Sequence, residues 1–372
     1  MSSPFAKLPA WVDYGLMPAV NVAVGFLVAG LVVLFIGENP LNAVSILFDG
    51  AFGSLNNFGY TLFYATSFIF TGLGVAVAFH AGLFNIGGEG QAYIGGLGTA
   101  LVCLALDRYM PWYITMPLAI AAAALFGAAW AFIPAWLQAK RGSHVVITTI
   151  MFNFIAASLM AYILVKVLKP LSAMGPSTRP FEAGAYIPRL GQISEFFGVS
   201  AGSSPANLAL IVALIAAWLV WLLIWRTKLG YEMRTFGLNP SAAAYAGIRS
   251  TKIIVVSMLI SGGLSGMMSV NTIMGNVHKL DLDFVSGAGF VGIAVALMGR
   301  SHPVGVVLAA LLFGVLYQGG AELSFNVPAI SRDMILFIQA LVILFAGALE
   351  NMFRPFFGQL FARRETTAAG AA

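Results

Sequence analysis

Stretches of about twenty apolar residues recur along nearly the whole chain, and no other feature limits its fold so strongly. A helix rising about 1.5 Å per residue needs roughly that many residues to cross a hydrocarbon layer about 30 Å thick. About ten such stretches can be marked: Met17 to Ile36, Thr61 to Phe79, Gln91 to Leu106, Trp112 to Leu137, His144 to Val165, Asn207 to Trp225, Ile253 to Ile273, Ser286 to Gly299, Pro303 to Gln318 and Asp333 to Phe353. Only 9% of the residues are charged, against roughly 25% in an ordinary soluble domain. Those charges are too few to coat a water-facing surface, and mean hydropathy is +0.91. The chain therefore reads as an all-α polytopic membrane protein, a single transmembrane domain over residues 1–372. Its first apolar run is too long for a signal-peptide core and follows only Lys7, so it reads as a retained span.

Basic residues set the orientation. With ten alternating spans, 12 of the 19 Lys and Arg fall on one side, among them Lys140, Arg141, Arg226, Lys228, Arg234, Arg249, Lys252 and Arg300. The positive-inside rule makes that side cytoplasmic, and both termini with it. The net charge of +5 sits in short loops between apolar runs, so it sets topology and implies no nucleic-acid partner.

Two loops differ from the rest. Residues 166–206 carry Pro170, Pro176, Pro180, Pro188 and Pro205, which predicts an irregular external lid or docking surface. Residues 226–252 form a cytoplasmic loop containing a short punctuated helix: Asn239 as N-cap, Pro240 at the first position, alanines, then Gly247 past the end. A helix so short has no stability alone and must be held by packing on its own chain or on a partner.

The richest polar stretch within the apolar zone runs from His80 to Gln91. Its glycines weaken a regular helix and predict a break or re-entrant turn between the second and third spans. A carboxylate inside a membrane costs about 2.5 to 3.5 kcal/mol on insertion scales, which marks Glu89 as a functional candidate. A second reading puts Glu89 at the cytoplasmic interface, solvated or beside the positive end of the third span. Asn153, Asn271, Gln318, Gln339 and Glu350 read first as interhelical hydrogen-bonding groups, and Gly262 with Gly266 as a close-packing pair. His80, His144, His278 and His302 are dispersed, so no metal site is expected. The single Cys103 excludes an intramolecular disulfide. Phosphate loops, nucleophile elbows and paired catalytic carboxylates are missing, so no catalytic residue is assigned.

Three blocks carry a resemblance. Phe84-Asn85-Ile86-Gly87-Gly88-Glu89-Gly90-Gln91 resembles the signature of permease subunits of bacterial nucleoside ABC importers, within a larger family of ribose, simple-sugar and branched-chain amino-acid permeases. Arg234 to Ile248 is similar to that family's cytoplasmic coupling segment, and Gly289 to Arg300 with Pro303 to a later block. The resemblance implies two cytoplasmic ATPase subunits or one fused double ATPase, a second and shorter permease as heterodimer partner, and an external substrate-binding protein. ATP and magnesium would bind the ATPase, leaving this chain no cofactor and no enzymatic step, in a bacterial plasma membrane. It implies a translocation role for Asn85 and Glu89, with Gln91 and Asn153 as further pathway candidates, and an ATPase contact through Glu232, Arg234, Asn239, Ala243, Tyr245 and Gly247. The alternatives are a sugar or branched-chain amino-acid permease of the same design, or a secondary transporter. The last generally needs several embedded ionisable groups, whereas this chain offers essentially Glu89.

Overall fold

The computed structural model describes residues 9, 11–171, 174–192 and 204–348. Lys7, Glu350, Arg354, Arg363 and Arg364 lie outside them, and so does the side of the membrane taken by the termini. Among the described residues regular structure is helical, apart from two isolated bridges, Ser177 with Asp281 and Arg189 with Asn207. Lipid offers backbone amides no partner, and helices satisfy them internally. The helices are α1 (Met17–Phe35), α2 (Pro40–Phe52), α3 (Leu55–His80), α4 (Gly88–Leu106), α5 (Trp112–Arg141), α6 (Val145–Ile163), α7 (Ala209–Arg226), α8 (Lys228–Leu238), α9 (Pro240–Tyr245), α10 (Ser250–Ser269), α11 (Ala288–Met298), α12 (Pro303–Asn326) and α13 (Arg332–Ala348). π-helical turns extend α6 through Leu164–Leu168 and α10 through Val270–Val277.

Among the described residues, which end before the tenth marked stretch does, six helices are long and apolar enough to cross a membrane, and a seventh span arises if α1 and α2, bent by 120°, count as one. That number is below the ten stretches marked on the sequence, for reasons visible in single elements. The chain turns sharply after α1 at Gly37, and α2 has no counterpart among the marked stretches. Glu89 and Gln91, more than the glycines, lower the hydropathy of α4. The eighth stretch forms only 11 helical residues, α11, whose rise of about 17 Å covers half a hydrocarbon layer.

The chain divides into two compact units, residues 1–48 with 319–372 and residues 49–318. In the first, α1 packs on α13 with Gly25 against the Val342 backbone, and Phe26 stacks on Phe48 at 6.1 Å. In the second, α4, α5 and α10 meet through small residues. Any Cβ on Gly266 would collide with Ala123 of α5, and one on Gly95 of α4 would collide with Gly266. Helix axes in lipid gain little from apolar burial and approach this closely to gain dispersion contacts. Thr99 and Ser269 then share a hydrogen bond of 2.7 Å across the α4 and α10 contact.

One end of this second unit is closed by a strap, residues 174–192. Arg179 donates two bonds to Asp107 at the end of α4, 2.7 and 2.9 Å long, and a third to the Leu104 carbonyl. The Glu182 amide donates to the same carboxylate, Thr178 pairs with Leu280, and Tyr186 stacks on His278. This is the loop expected to be external. The opposite end gathers the basic residues, because α3, α5 and α7 end there and α6 and α10 begin there.

Burial of Asp107 pushes its carboxyl up, yet the Arg179 and Glu182 hydrogen bonds and the guanidinium charge outweigh this and hold it below the usual carboxylate range. A lowered carboxyl contributes stability that is full above the ordinary carboxylate value and is lost as pH falls from there through the lowered one. Strap protection measured by hydrogen exchange is therefore expected to hold from pH 7 to 5 and to fall below about pH 4. Asp107→Asn should expose the strap at pH 7, at a cost on the order of 2 to 3 kcal/mol.

Candidate functional site

The polar stretch between α3 and α4 folds as a latch inside the second unit. Helix α3 ends in a Schellman motif: Leu83 donates to the Ala78 carbonyl and Gly82, with φ of +67°, to that of Phe79. The chain then runs back along α10. Asn85 is fully buried, and all four of its hydrogen-bonding positions are taken. Its Nδ2 donates to Gln91 Oε1 at 2.9 Å and Ser261 Oγ at 2.8 Å, while its Oδ1 accepts from the Gly87 amide and Gln91 Nε2. Asn153 of α6 closes the other side, accepting from the Gly90 amide and donating to the Ile86 carbonyl, both at 2.9 Å. Irregular backbone here is thus paired by the side chains of Asn85 and Asn153.

Glu89 faces the opposite way, toward α11. Its Oε1 accepts from the Gly287 amide at 3.0 Å and its Oε2 from the Gly289 amide at 2.8 Å. The carboxylate therefore caps the positive end of a different helix. The approach is so close that a Cβ on Gly289 would collide with the Glu89 backbone. One turn on, Gly292 meets Thr71, nine residues before the end of α3 and so about 13 Å in from it by helix rise. Glu89 is 7% exposed, which does not match a solvated interfacial carboxylate; it does stand in the first turn of α4, beside that helix's positive end, while its carboxylate bonds the amides of α11.

Beside this latch, toward the strap, lies a cavity of about 380 Å³. One wall is a run of rings in mutual contact: Phe63 with Tyr64 at 5.7 Å, Tyr64 with Tyr317 at 5.8 Å, and Tyr317 with Phe68 at 4.9 Å. The other wall is the irregular run before α11, with Asp281, Asp283, Phe284 and Ser286, and Asn276 joins it from the π-helical turn. Asn271 ties this turn to α3, donating to the Phe63 carbonyl and Ser67 Oγ and accepting from Asn207. That is the interhelical bonding expected of it.

The basic end carries the short helix α9. Asn239 Oδ1 accepts from the Ser241 and Ala242 amides, Gly247 has φ of +80°, and Ile248 donates to the Ala243 carbonyl. Ala243 is buried and Tyr245 is 96% exposed. Glu232 pairs with Lys252 at 3.2 Å, pinning α8 to the start of α10. The charge of Arg234 acts on His80, at the end of α3. His80 in turn contacts the Ser301 carbonyl at 3.0 Å and the Trp225 ring. Gly237 of α8 lies against Gly82. The latch and the α8 to α9 segment thus share the end of α3.

Sequence reasoning picks out Asn85, Gln91 and Asn153, which the fold brings together around the latch, and Glu89, which faces the other way. It misses Gly289 as the partner of Glu89, and it misses the cavity. The rings and carboxylates of the cavity come from three elements and carry no spacing that one segment could reveal.

These features describe a multi-pass membrane transporter with a discontinuous span, the arrangement by which many such proteins build a path at bilayer depth. Residues 57–347 match the family described as branched-chain amino acid transport system, permease component. The chain is 36% identical to a guanosine ABC transporter permease of Bacillus subtilis over 90% of its length and 93% of that protein. It is 33% identical to a glucose ABC transporter permease of Haloferax volcanii, covering 97% and 94%, and 33% to a nucleoside ABC transporter permease of Lactococcus lactis, covering 89% and 90%. The chain belongs to this ABC-transporter permease family and is a multi-pass plasma-membrane protein.

The cap generates a direct test. In Glu89→Gln an amide group replaces one acceptor oxygen and opposes a backbone donor, leaving a buried N–H unpaired at about 1 to 3 kcal/mol. Thermal unfolding in detergent should shift down by several degrees, and Gly289→Ala should shift it further.

Proposed function

We propose that the chain is one permease half of an ATP-driven importer of nucleosides, working with two cytoplasmic ATPase subunits or a fused double ATPase, a second and shorter permease, and an external substrate-binding protein. The observation that carries the substrate reading is the similarity to a guanosine permease over nearly the whole length of both chains. The Phe84 to Gln91 signature supports it. A glucose permease at comparable identity makes a sugar the second reading. Uptake of labelled guanosine, uridine, glucose and leucine by membranes carrying the chain with its partners tests it: nucleoside uptake supports the proposal, and glucose uptake alone overturns it.

In this reading Asn85, Gln91 and Asn153 hold the wall of the path, since their polar atoms bond to protein, and Glu89 holds α11 against it. Glu89→Ala is expected to lower uptake at normal expression; wild-type uptake would remove Glu89 from the mechanism.

For coupling, α9 is the ATPase contact. Its capped ends make it compact, Ala243 seats it, and Tyr245 supplies an aromatic anchor of the kind that dominates interfaces. Glu232 fixes the orientation of the segment through Lys252, and Arg234 faces back toward the end of α3. Ala244→Pro breaks the helix at about 3 kcal/mol or more. It should reduce ATPase co-purification or uncouple hydrolysis from uptake, with membrane insertion intact. Tyr245→Ala should do the same without unfolding α9. Normal assembly and transport by Ala244→Pro would make the segment a linker.

A further inference from the structure

We propose that the cavity between α3, the π-helical turn of α10 and the start of α11 is a binding site for neutral nucleosides that rejects anionic ligands. The inference rests on the importer reading above and adds where the substrate sits and what the site excludes.

The chemistry of the lining carries it. The cavity presents the Asp281 and Asp283 carboxylates and no Lys or Arg side chain. Asp281 is paired with Lys279 at 3.1 Å, whereas Asp283 has no cation within ion-pair distance among the described residues. Carboxylate oxygens only accept, and ribose hydroxyls and base N–H groups donate to them. The wall from Phe63 to Phe68 is a ring surface on which a flat base stacks. A volume of about 380 Å³ is at the scale of a small-ligand pocket.

A helix N-terminus opening on a cavity is ordinarily an attractive place for an anion. Here α11 begins beside the cavity, yet its first donors are already taken. Glu89 accepts from Gly287 and Gly289, the Val285 carbonyl from Ala288, and the Gly287 carbonyl from Phe290. The same carboxylate cancels the positive end of the helix. A phosphate, or the carboxylate of an amino acid, would meet the Asp281 and Asp283 carboxylates and a helix end whose first amides are already taken, while an uncharged nucleoside meets acceptors and rings. Glu89 thus acts on selectivity from behind the wall, through α11.

The test uses the assembled transporter in nanodiscs with its ATPase and partner permease. Cys103 is the one cysteine and is buried, so Asn276→Cys adds a single accessible thiol within the cavity. Its modification by a small water-soluble thiol reagent should be slowed by guanosine and uridine, and not by guanosine monophosphate or leucine. Adding Asp283→Asn should weaken nucleoside protection about tenfold. Unslowed modification in a transporter that imports nucleosides would overturn the cavity site and leave the functional reading standing. Protection by glucose and not by guanosine would overturn both. Equal protection by the monophosphate would overturn the exclusion of anions.

Discussion

The carboxylate of Glu89, bonded to the Gly287 and Gly289 amides, is the interaction on which the arrangement of this site depends. Helix α11 starts within the second unit, where Ala288 and Gly289 are buried and the first amides of a helix have no partner of their own. A half-helix can begin there only if something else accepts those bonds. A buried carboxylate likewise persists only if donors surround it. Each feature is costly alone, and together they resolve one another. Gly289 is required because the two backbones must come within collision distance of any side chain for the bonds to form.

Around that contact the remaining polar groups serve position. Asn85, Gln91 and Asn153 bond the re-entrant segment to itself, to α10 and to α6. Asn271 and Asn207 do the same nearer the strap. A network in which every member is satisfied stiffens its surroundings. The lining of the cavity is therefore held from behind. The end of α3 joins this rigid region to α8 through the contact of Gly82 with Gly237 and through His80. A displacement of the α8 to α9 segment thus has a packed route toward the cavity.

Much of this is legible in the amino-acid sequence. Apolar runs imply the all-α membrane class, because lipid admits few alternatives to helices. Asn239, Pro240 and Gly247 mark both ends of α9, since capping is a local property of the backbone. The glycines from Gly82 to Gly90 mark the break for the same reason, and the irregular, proline-bearing loop becomes the strap. Less legible are the lengths of the later elements. The run from Ser286 to Gly299 is apolar enough for a span, yet only 11 of its residues form α11. Hydropathy measures compatibility with lipid and not the point at which a helix starts.

What the sequence determined by itself, then, was the class of protein and the location of its irregular segments, which follow from composition and near-neighbour chemistry; the family came from the resemblance of three blocks. Tertiary structure alone decided the partner of Glu89, two hundred residues away, and the assembly of the cavity from α3, α10, α12 and the run before α11. Both depend on close approach between segments remote in sequence. Small residues such as Gly95 and Gly266 permit such an approach, but the packed fold selects which of them meet.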